Sequence, residues 1–134
     1  MNKQELVRLV KSLDLAPCTF IVVGSGILAA LELRDVGDVD VIVTPEIFQR
    51  FEDDPSWQRK YFDDGTYYLI CGVFEVGLSW DSHDGSPNLA DLKSNEHVVD
   101  EIPFVAPARL LTWKEKMSRP KDQADIQTLR DYLG

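Results

Sequence analysis

Residues 20–25 read Phe-Ile-Val-Val-Gly-Ser and residues 38–43 read Asp-Val-Asp-Val-Ile-Val, and these two stretches decide the fold. Each contains an apolar run of the length that a buried strand needs. Gly24-Ser25 ends the first run, as expected where a strand turns tightly into a helix. Asp38 and Asp40 lie two residues apart in the second run, so both side chains project from one face of a strand. The valines that alternate with them take the opposite face, which we predict to be core.

The two aspartates predict a metal site. Carboxylates held side by side repel each other unless a cation lies between them, and oxygen ligands suit Mg²⁺. Glu75 is a third candidate, because it is a lone carboxylate in an apolar strand where Gly77 and Ser79 leave room on its face. A solvent-facing strand position explains Glu75 equally well. If its strand lies beside that of Asp38 and Asp40, however, three carboxylates converge and Glu75 serves as metal ligand and general base.

Other residues predict contacts with phosphate. Between a strand and a helix, the backbone N–H groups of Gly24 and Ser25 can hold a phosphate, and Ser25 adds a hydroxyl. A tight turn that requires a small residue is the alternative for this pair. Lys114 and Lys121 are candidates for binding a triphosphate as mobile point charges. An amphipathic pair of helices with a charged outer face is the alternative for them.

Composition limits the class of protein. The chain has 134 residues, of which 44% are hydrophobic and 28% charged, which predicts one globular domain over residues 1–134. No apolar run reaches the length of a membrane span, and the N-terminus does not resemble a signal peptide, so we expect a cytoplasmic protein without membrane contacts. The net charge of −9 argues against a general nucleic-acid surface. Cys18 and Cys71 are predicted to be buried thiols.

The order of predicted elements indicates an α/β (α+β) protein with a short mixed sheet and flanking helices. Apolar spacing predicts a first helix capped by Asn2 and a third that begins after Thr44 with Pro45. Two helices are predicted at the C-terminal end, at about 108–117 and 120–133. Further strands are expected around the turn at 63–65 and over 73–80, with short edge strands at 97–99 and 104–105. Residues 81–95 are predicted to be a polar loop.

Together these residues resemble the DNA polymerase beta-like nucleotidyltransferase superfamily. The motif that carries the resemblance is Val23-Gly24-Ser25 followed by Asp38-Val39-Asp40-Val41. The chain is most similar to small bacterial proteins related to abortive-infection nucleotidyltransferase toxins and to lincosamide and aminoglycoside nucleotidyltransferases. In those, an arginine often precedes the aspartate pair, as Arg34 does here. Many also end with a motif matched by Leu110-Leu111-Thr112-Trp113-Lys114 and by the run Arg119-Pro120-Lys121-Asp122-Gln123-Ala124-Asp125-Ile126.

The resemblance implies transfer of a nucleoside monophosphate from a nucleoside triphosphate to a hydroxyl or phosphate acceptor, with release of pyrophosphate. It implies two Mg²⁺ ions held by Asp38, Asp40 and Glu75, and outer phosphates held by Gly24 and Ser25. It also implies that Asp122 orients a lysine or the pair of helices. The acceptor is open: a small molecule, a protein or RNA.

We expect no counterpart of the extra C-terminal domain with which larger relatives of this superfamily hold the acceptor. The acceptor site is therefore expected in the loop at 81–95, across a homodimer, or not at all.

Two other functions compete with this interpretation. A degenerate domain of the same fold would bind a nucleotide or a protein without catalysis, and a component of a toxin–antitoxin pair is one biological role for either version. A dinucleotide-binding enzyme is the second alternative, because residues 24–29 match G-x-G-x-x-A after a strand. The short helix that follows and the position of the acids at the start of the second strand oppose it.

Overall fold

The computed structural model of the chain describes residues 1–80 and 87–134. In these residues it has a mixed sheet of seven strands and six α-helices, so the predicted α+β class is confirmed. The strands are β1 (Phe20–Val23), β2 (Val39–Val43), β3 (Gln58–Tyr61), β4 (Tyr67–Cys71), β5 (Phe74–Gly77), β6 (His97–Val99) and β7 (Ile102–Phe104). The helices are α1 (Lys3–Ser12), α2 (Gly26–Ala30), α3 (Pro45–Glu52), α4 (Leu89–Lys93), α5 (Pro107–Met117) and α6 (Gln123–Leu133).

The sheet order is β3-β4-β5-β2-β1-β7-β6. At its centre β2 runs antiparallel to β1 and parallel to β5. The strand β1 is buried at all four positions, because helices α2 and α4 contact it and its residues are all apolar. A strand buried on both faces needs such a continuous apolar run, which is why the sequence pattern identified it.

Helix α1 shows how local sequence determines an element. The Asn2 side chain accepts a hydrogen bond from the backbone N–H of Glu5, and the Glu5 side chain accepts one from the backbone of Asn2. This capping box satisfies two N–H groups that a helix start leaves without partners. Leu6 and Val10 lie one turn apart and are almost completely buried, against α2 and β7. Helix α3 begins as predicted, with Thr44 as its cap and Pro45 in its first turn.

Three predictions at the periphery are wrong. Helix α4 lies inside the predicted loop at 81–95, because Asn88 and Asp91 form a second capping box and Leu92 is fully buried. Residues 81–86 of that loop lie outside the described residues. The strand β7 is internal rather than an edge, because β6 covers it and β1 pairs with its other side. Cys18 is exposed and Cys71 half-buried, so neither is a core thiol.

The hairpin of β3 and β4 extends the sheet beyond β5. Every residue of β3 is exposed, and its polar sequence fits an edge strand. Across the whole described part of the chain, we find no helix with the length and apolar character that crossing a bilayer requires.

Candidate active site

Three carboxylates meet where β2 and β5 lie side by side. Asp40 on β2 pairs in register with Glu75 on β5, and the side chains of an in-register pair project from the same face of a sheet. Asp38 lies two residues before Asp40 and projects from that face. One oxygen from each carboxylate lies within 4.8 Å of the other two. The sequence predicted that the three carboxylates converge if the strand of Glu75 lies beside that of Asp38 and Asp40, and the parallel pairing of β2 with β5 meets this condition.

Gly24 packs directly against this cluster. It follows Val23, which pairs with Asp40, and its φ of +67° lies in the left-handed region that glycine favours. A Cβ at this position would lie 2.9 Å from Oδ2 of Asp40, closer than such atoms approach. Glycine is therefore required for both the backbone turn and the space. Ser25 follows at the start of α2, half-buried.

Asp40 lies in an unfavourable electrostatic environment. Its Oδ1 is buried and has no hydrogen-bond partner within the described residues. Burial, together with a hydrogen bond to Glu75 and the charges of Glu75 and Asp38, raises the pKa of Asp40 to about 8. A buried acceptor without a partner costs free energy. A cation between the carboxylates would give Oδ1 of Asp40 a partner and would offset the repulsion between the negative charges. The residues therefore fit a metal ion.

The spacing of the three carboxylates is compatible with a small divalent cation such as Mg²⁺. Mg²⁺ binds oxygen at about 2.0–2.1 Å, so two of its ligands are at most about 4.2 Å apart. Oxygens within 4.8 Å of one another reach this separation through small side-chain rotations. Of the three carboxylates, Asp38 is exposed, while Asp40 and Glu75 are half-buried. An ion held there would therefore be open to a phosphate ligand.

A buried network of ion pairs lies between the two C-terminal helices. Lys114 of α5 is only 3% exposed, and its Nζ lies 3.3 Å from Oδ1 of Asp122 and 3.0 Å from Oδ2 of Asp125. Arg119 donates from Nε and Nη2 to Asp122, at 2.7 and 3.0 Å. These hydrogen bonds from Arg119, with a further one from Lys114, lower the pKa of Asp122 to about 2 against the opposing effect of burial.

Arg34 extends this network to the segment that leads into β2. Its Nε and Nη2 donate to the two oxygens of Asp125, at 2.6 and 2.7 Å. Burial tends to raise the pKa of Asp125, but the hydrogen bonds from Arg34 and Lys114 outweigh it and lower that pKa. The hydrogen bond to Asp125 in turn raises the pKa of Arg34, and Asp38 adds to this effect. Arg34 therefore fixes the segment that leads into β2 against α6.

The structure brings together some of the predicted site residues and separates others. Asp38, Asp40, Glu75 and Gly24 form one cluster. Lys114 pairs with Asp122 and Asp125, and the resemblance implied that Asp122 orients a lysine or the pair of helices. Lys121 is exposed. Neither lysine is among the described residues that line the cavity beside Asp40.

That cavity contains residues that the sequence analysis missed. It has a volume of about 550 Å³, and its lining includes Asp40, Glu75, Trp113 and Arg119. The guanidinium of Arg119 lies 5.1 Å from the ring centre of Trp113. Both residues belong to the quoted C-terminal motifs, but nothing in the local pattern indicated that they face the acids.

The pairing of the first two strands excludes the dinucleotide-binding alternative. A dinucleotide-binding unit needs two parallel strands joined by a crossover helix, whereas β1 and β2 are antiparallel. The helix between them, α2, has only five residues.

Comparison with known proteins leaves the site to be judged on its own geometry. A scan against protein-family models, a search of curated proteins and a search of solved structures each found no match to this chain.

Proposed function

We propose that this protein is a Mg²⁺-dependent nucleotidyltransferase, in the manner of the polymerase beta-like superfamily that its motifs resemble. The observation that carries the proposal is the in-register pairing of Asp40 with Glu75, beside Asp38 and against Gly24. It supports a cation site whose ligands are set by the sheet itself. The left-handed Gly24 supports a close approach of a ligand to the backbone at the same point.

Each residue has a distinct role in this proposal. Asp38 and Asp40 hold the metal, which is two Mg²⁺ ions in the mechanism that the resemblance implies. Gly24 and Ser25 contact the outer phosphates of a nucleoside triphosphate. When bound, Mg²⁺ supplies neutralisation of the charge that develops on the phosphoryl oxygens. Glu75 accepts the proton of the attacking hydroxyl, since it lies beside the metal ligands and has a carboxylate available as a base.

Titration calorimetry with Mg²⁺ and each nucleoside triphosphate tests the proposal. We expect binding by the wild type and its loss in Asp40→Asn, which keeps the shape of the side chain but removes the anionic ligand. Asp131→Asn is the matched control, because it removes an exposed carboxylate on α6. Equal binding by wild type and Asp40→Asn would refute the site. Failure of the wild type to bind any nucleotide would support the degenerate, non-catalytic domain instead.

A further inference from the structure

A groove crosses the sheet face that carries the acids. Ile42 lies two residues beyond Asp40, Gly77 lies two beyond Glu75, and Ile42 pairs with Gly77. Residues two apart on a strand share a face, so Ile42 and Gly77 continue the surface that begins at the carboxylates. All four residues line the cavity of about 550 Å³. This volume lies within the range of small-molecule sites.

Within the described residues, the groove is open at residue 77, which has no side chain. A Cβ built on Gly77 would lie 3.7 Å from the backbone oxygen of Ser79, 3.8 Å from Cδ1 of Ile42 and 3.9 Å from Cβ of Tyr68. These are ordinary contact distances, so the backbone does not require glycine at this position for space. Its φ is also outside the left-handed region. A larger side chain would therefore be accommodated by the strand and would occupy the groove.

Two pairs of aromatic rings line the cavity. The rings of Phe62 and Tyr68 lie 5.2 Å apart. Trp80 and Trp113 stack with their centres 5.0 Å apart and their planes 25° apart. Rings already packed against each other lose little freedom when a ligand binds, and they favour flat apolar partners. The walls therefore favour a planar ring, while the carboxylates at one end favour a hydrogen-bond donor.

The position of the groove in the sheet assigns it to the acceptor. The strand order places Gly24, at the end of β1, on one side of Asp40, and β5 with Glu75 and Gly77 on the other side. In the proposed function Gly24 contacts the phosphates of the nucleotide. A ligand in the groove would approach the metal ligands from the opposite side, past the base Glu75.

We propose that this groove binds the acceptor, a small molecule with a flat apolar ring and a hydroxyl group that points to Glu75. The inference rests on the proposed nucleotidyltransferase function and specifies its second substrate. In the transfer, the hydroxyl oxygen forms a bond to the α-phosphorus of the nucleoside triphosphate and its proton passes to Glu75. The bond between the α-phosphorus and the oxygen that bridges to the β-phosphate breaks, and pyrophosphate leaves with that electron pair.

The test uses 7-hydroxycoumarin, a flat fluorescent phenol, as the acceptor probe. Its binding is followed by fluorescence anisotropy without Mg²⁺ or nucleotide, and binding of Mg²⁺-nucleotide is measured separately by calorimetry. Gly77→Val fills the groove with a residue that strands favour. We expect it to weaken coumarin binding by about tenfold or more, because the valine side chain would take the space that the ligand fills, and to leave Mg²⁺-nucleotide binding unchanged. Ala108→Val, at an exposed position of α5, is the control and should match the wild type.

Two further variants keep the outcome decisive. Gly77→Ala adds only the Cβ and should show a smaller loss if Gly77→Val fails to fold. Asp38 belongs to the acid cluster but does not line the cavity, so Asp38→Asn should lose Mg²⁺-nucleotide and bind coumarin as the wild type does, which separates the groove from the metal site. Coumarin binding that survives Gly77→Val, or no coumarin binding by the wild type, would overturn the small-acceptor site. Loss of Mg²⁺-nucleotide binding in Gly77→Val would overturn it too, because the nucleotide would then occupy the groove.

If the wild type binds coumarin in a manner sensitive to Gly77→Val but binds no Mg²⁺-nucleotide, the transfer itself is refuted while the ligand site stands. With both sites confirmed, 7-hydroxycoumarin and Mg²⁺-nucleotide together should release pyrophosphate. The matched probe 7-methoxycoumarin has no hydroxyl and should release none. Pyrophosphate release that is equal with the two coumarins would contradict the assignment of the hydroxyl as the attacking group.

Discussion

Replacing Lys114 by Met separates its packing role from a role in binding phosphate. The side chain is 3% exposed and bonds to Asp122 and Asp125 at 3.3 and 3.0 Å. Methionine has a similar length, so it keeps the packing of the aliphatic part and removes only the charge. After the substitution each carboxylate keeps one arginine, Arg119 for Asp122 and Arg34 for Asp125.

The size of the effect follows from what remains. Removing one partner of a buried ion pair costs about 3–5 kcal/mol, because the other charge is left buried and uncompensated. Here the two remaining arginines compensate much of that charge, so we expect a loss of about 2–3 kcal/mol in the free energy of unfolding. For a chain of this size that is a fall of roughly 10 °C in Tm. A typical domain has about 5–15 kcal/mol of stability, so the variant should remain folded.

Urea unfolding, followed by circular dichroism, measures the loss, and calorimetry measures Mg²⁺-nucleotide binding on the same protein. Lys116→Met, at an exposed position of the same helix, is the control and should stay within about 0.5 kcal/mol of the wild type. The reasoning predicts a less stable Lys114→Met protein that still binds nucleotide. A variant that is as stable as the wild type but has lost nucleotide binding would refute the packing role and would indicate that Lys114 binds the triphosphate.

Four further predictions concern single positions. Gly24→Ala should abolish Mg²⁺-nucleotide binding in calorimetry, because its Cβ would lie 2.9 Å from Asp40. Without metal, the free energy of unfolding should fall as pH rises from about 4 to about 8. The pKa of Asp40 is raised to about 8 in the folded protein, so folding takes up a proton in this range. In a series of urea melts at different pH, Asp40→Asn should flatten this part of the curve. Asp122 acts in the opposite direction, since its pKa is lowered from 3.8 to about 2: its contribution is present above about pH 4 and lost towards pH 2, and Asp122→Asn should remove that loss. Glu101→Gly should raise the unfolding free energy by about 1 kcal/mol. Asp100 and Glu101 join β6 to β7 with positive φ, a backbone conformation that is strained for residues other than glycine. An unchanged urea midpoint would contradict this.

The acid cluster could be predicted because it depends on short-range rules. The period of two along β2 fixed the faces of Asp38 and Asp40, and only the neighbourhood of β2 and β5 had to be assumed. The position of Gly24 at the end of a strand could also be predicted, because a tight turn from a strand into a helix requires a small residue. These features use the geometry of a strand and its end, which sequence spacing records directly.

The ion-pair network and the groove could not be predicted in this way. Arg34 meets Asp125 across 91 positions of sequence, and helical spacing gives no information on which acid on another element faces a lysine. Lys114 therefore resembled an outward charge and is in fact buried. The stacking of Trp80 on Trp113 likewise depends on how α5 packs. Helix α4 is different, because Asn88 and Asp91 carry a readable capping signal that the polar composition of the segment concealed.

The bond between Arg34 and Asp125 also sets when the site can mature during synthesis. The strands β1 and β2 leave the ribosome early, and Val36 is then already within reach of Met1, with which it exchanges backbone hydrogen bonds. The side chain of Arg34, however, has no partner on α6 until residue 125 has emerged. Contacts between residues this far apart in sequence require loop closure, whose entropy cost opposes folding before the contact stabilises the chain. We therefore expect the nascent chain to carry a formed central sheet with an unfinished acid cluster. Competence to bind metal would then arise late, as the C-terminal helices dock, so that the chain exposes no working centre while it is still being made.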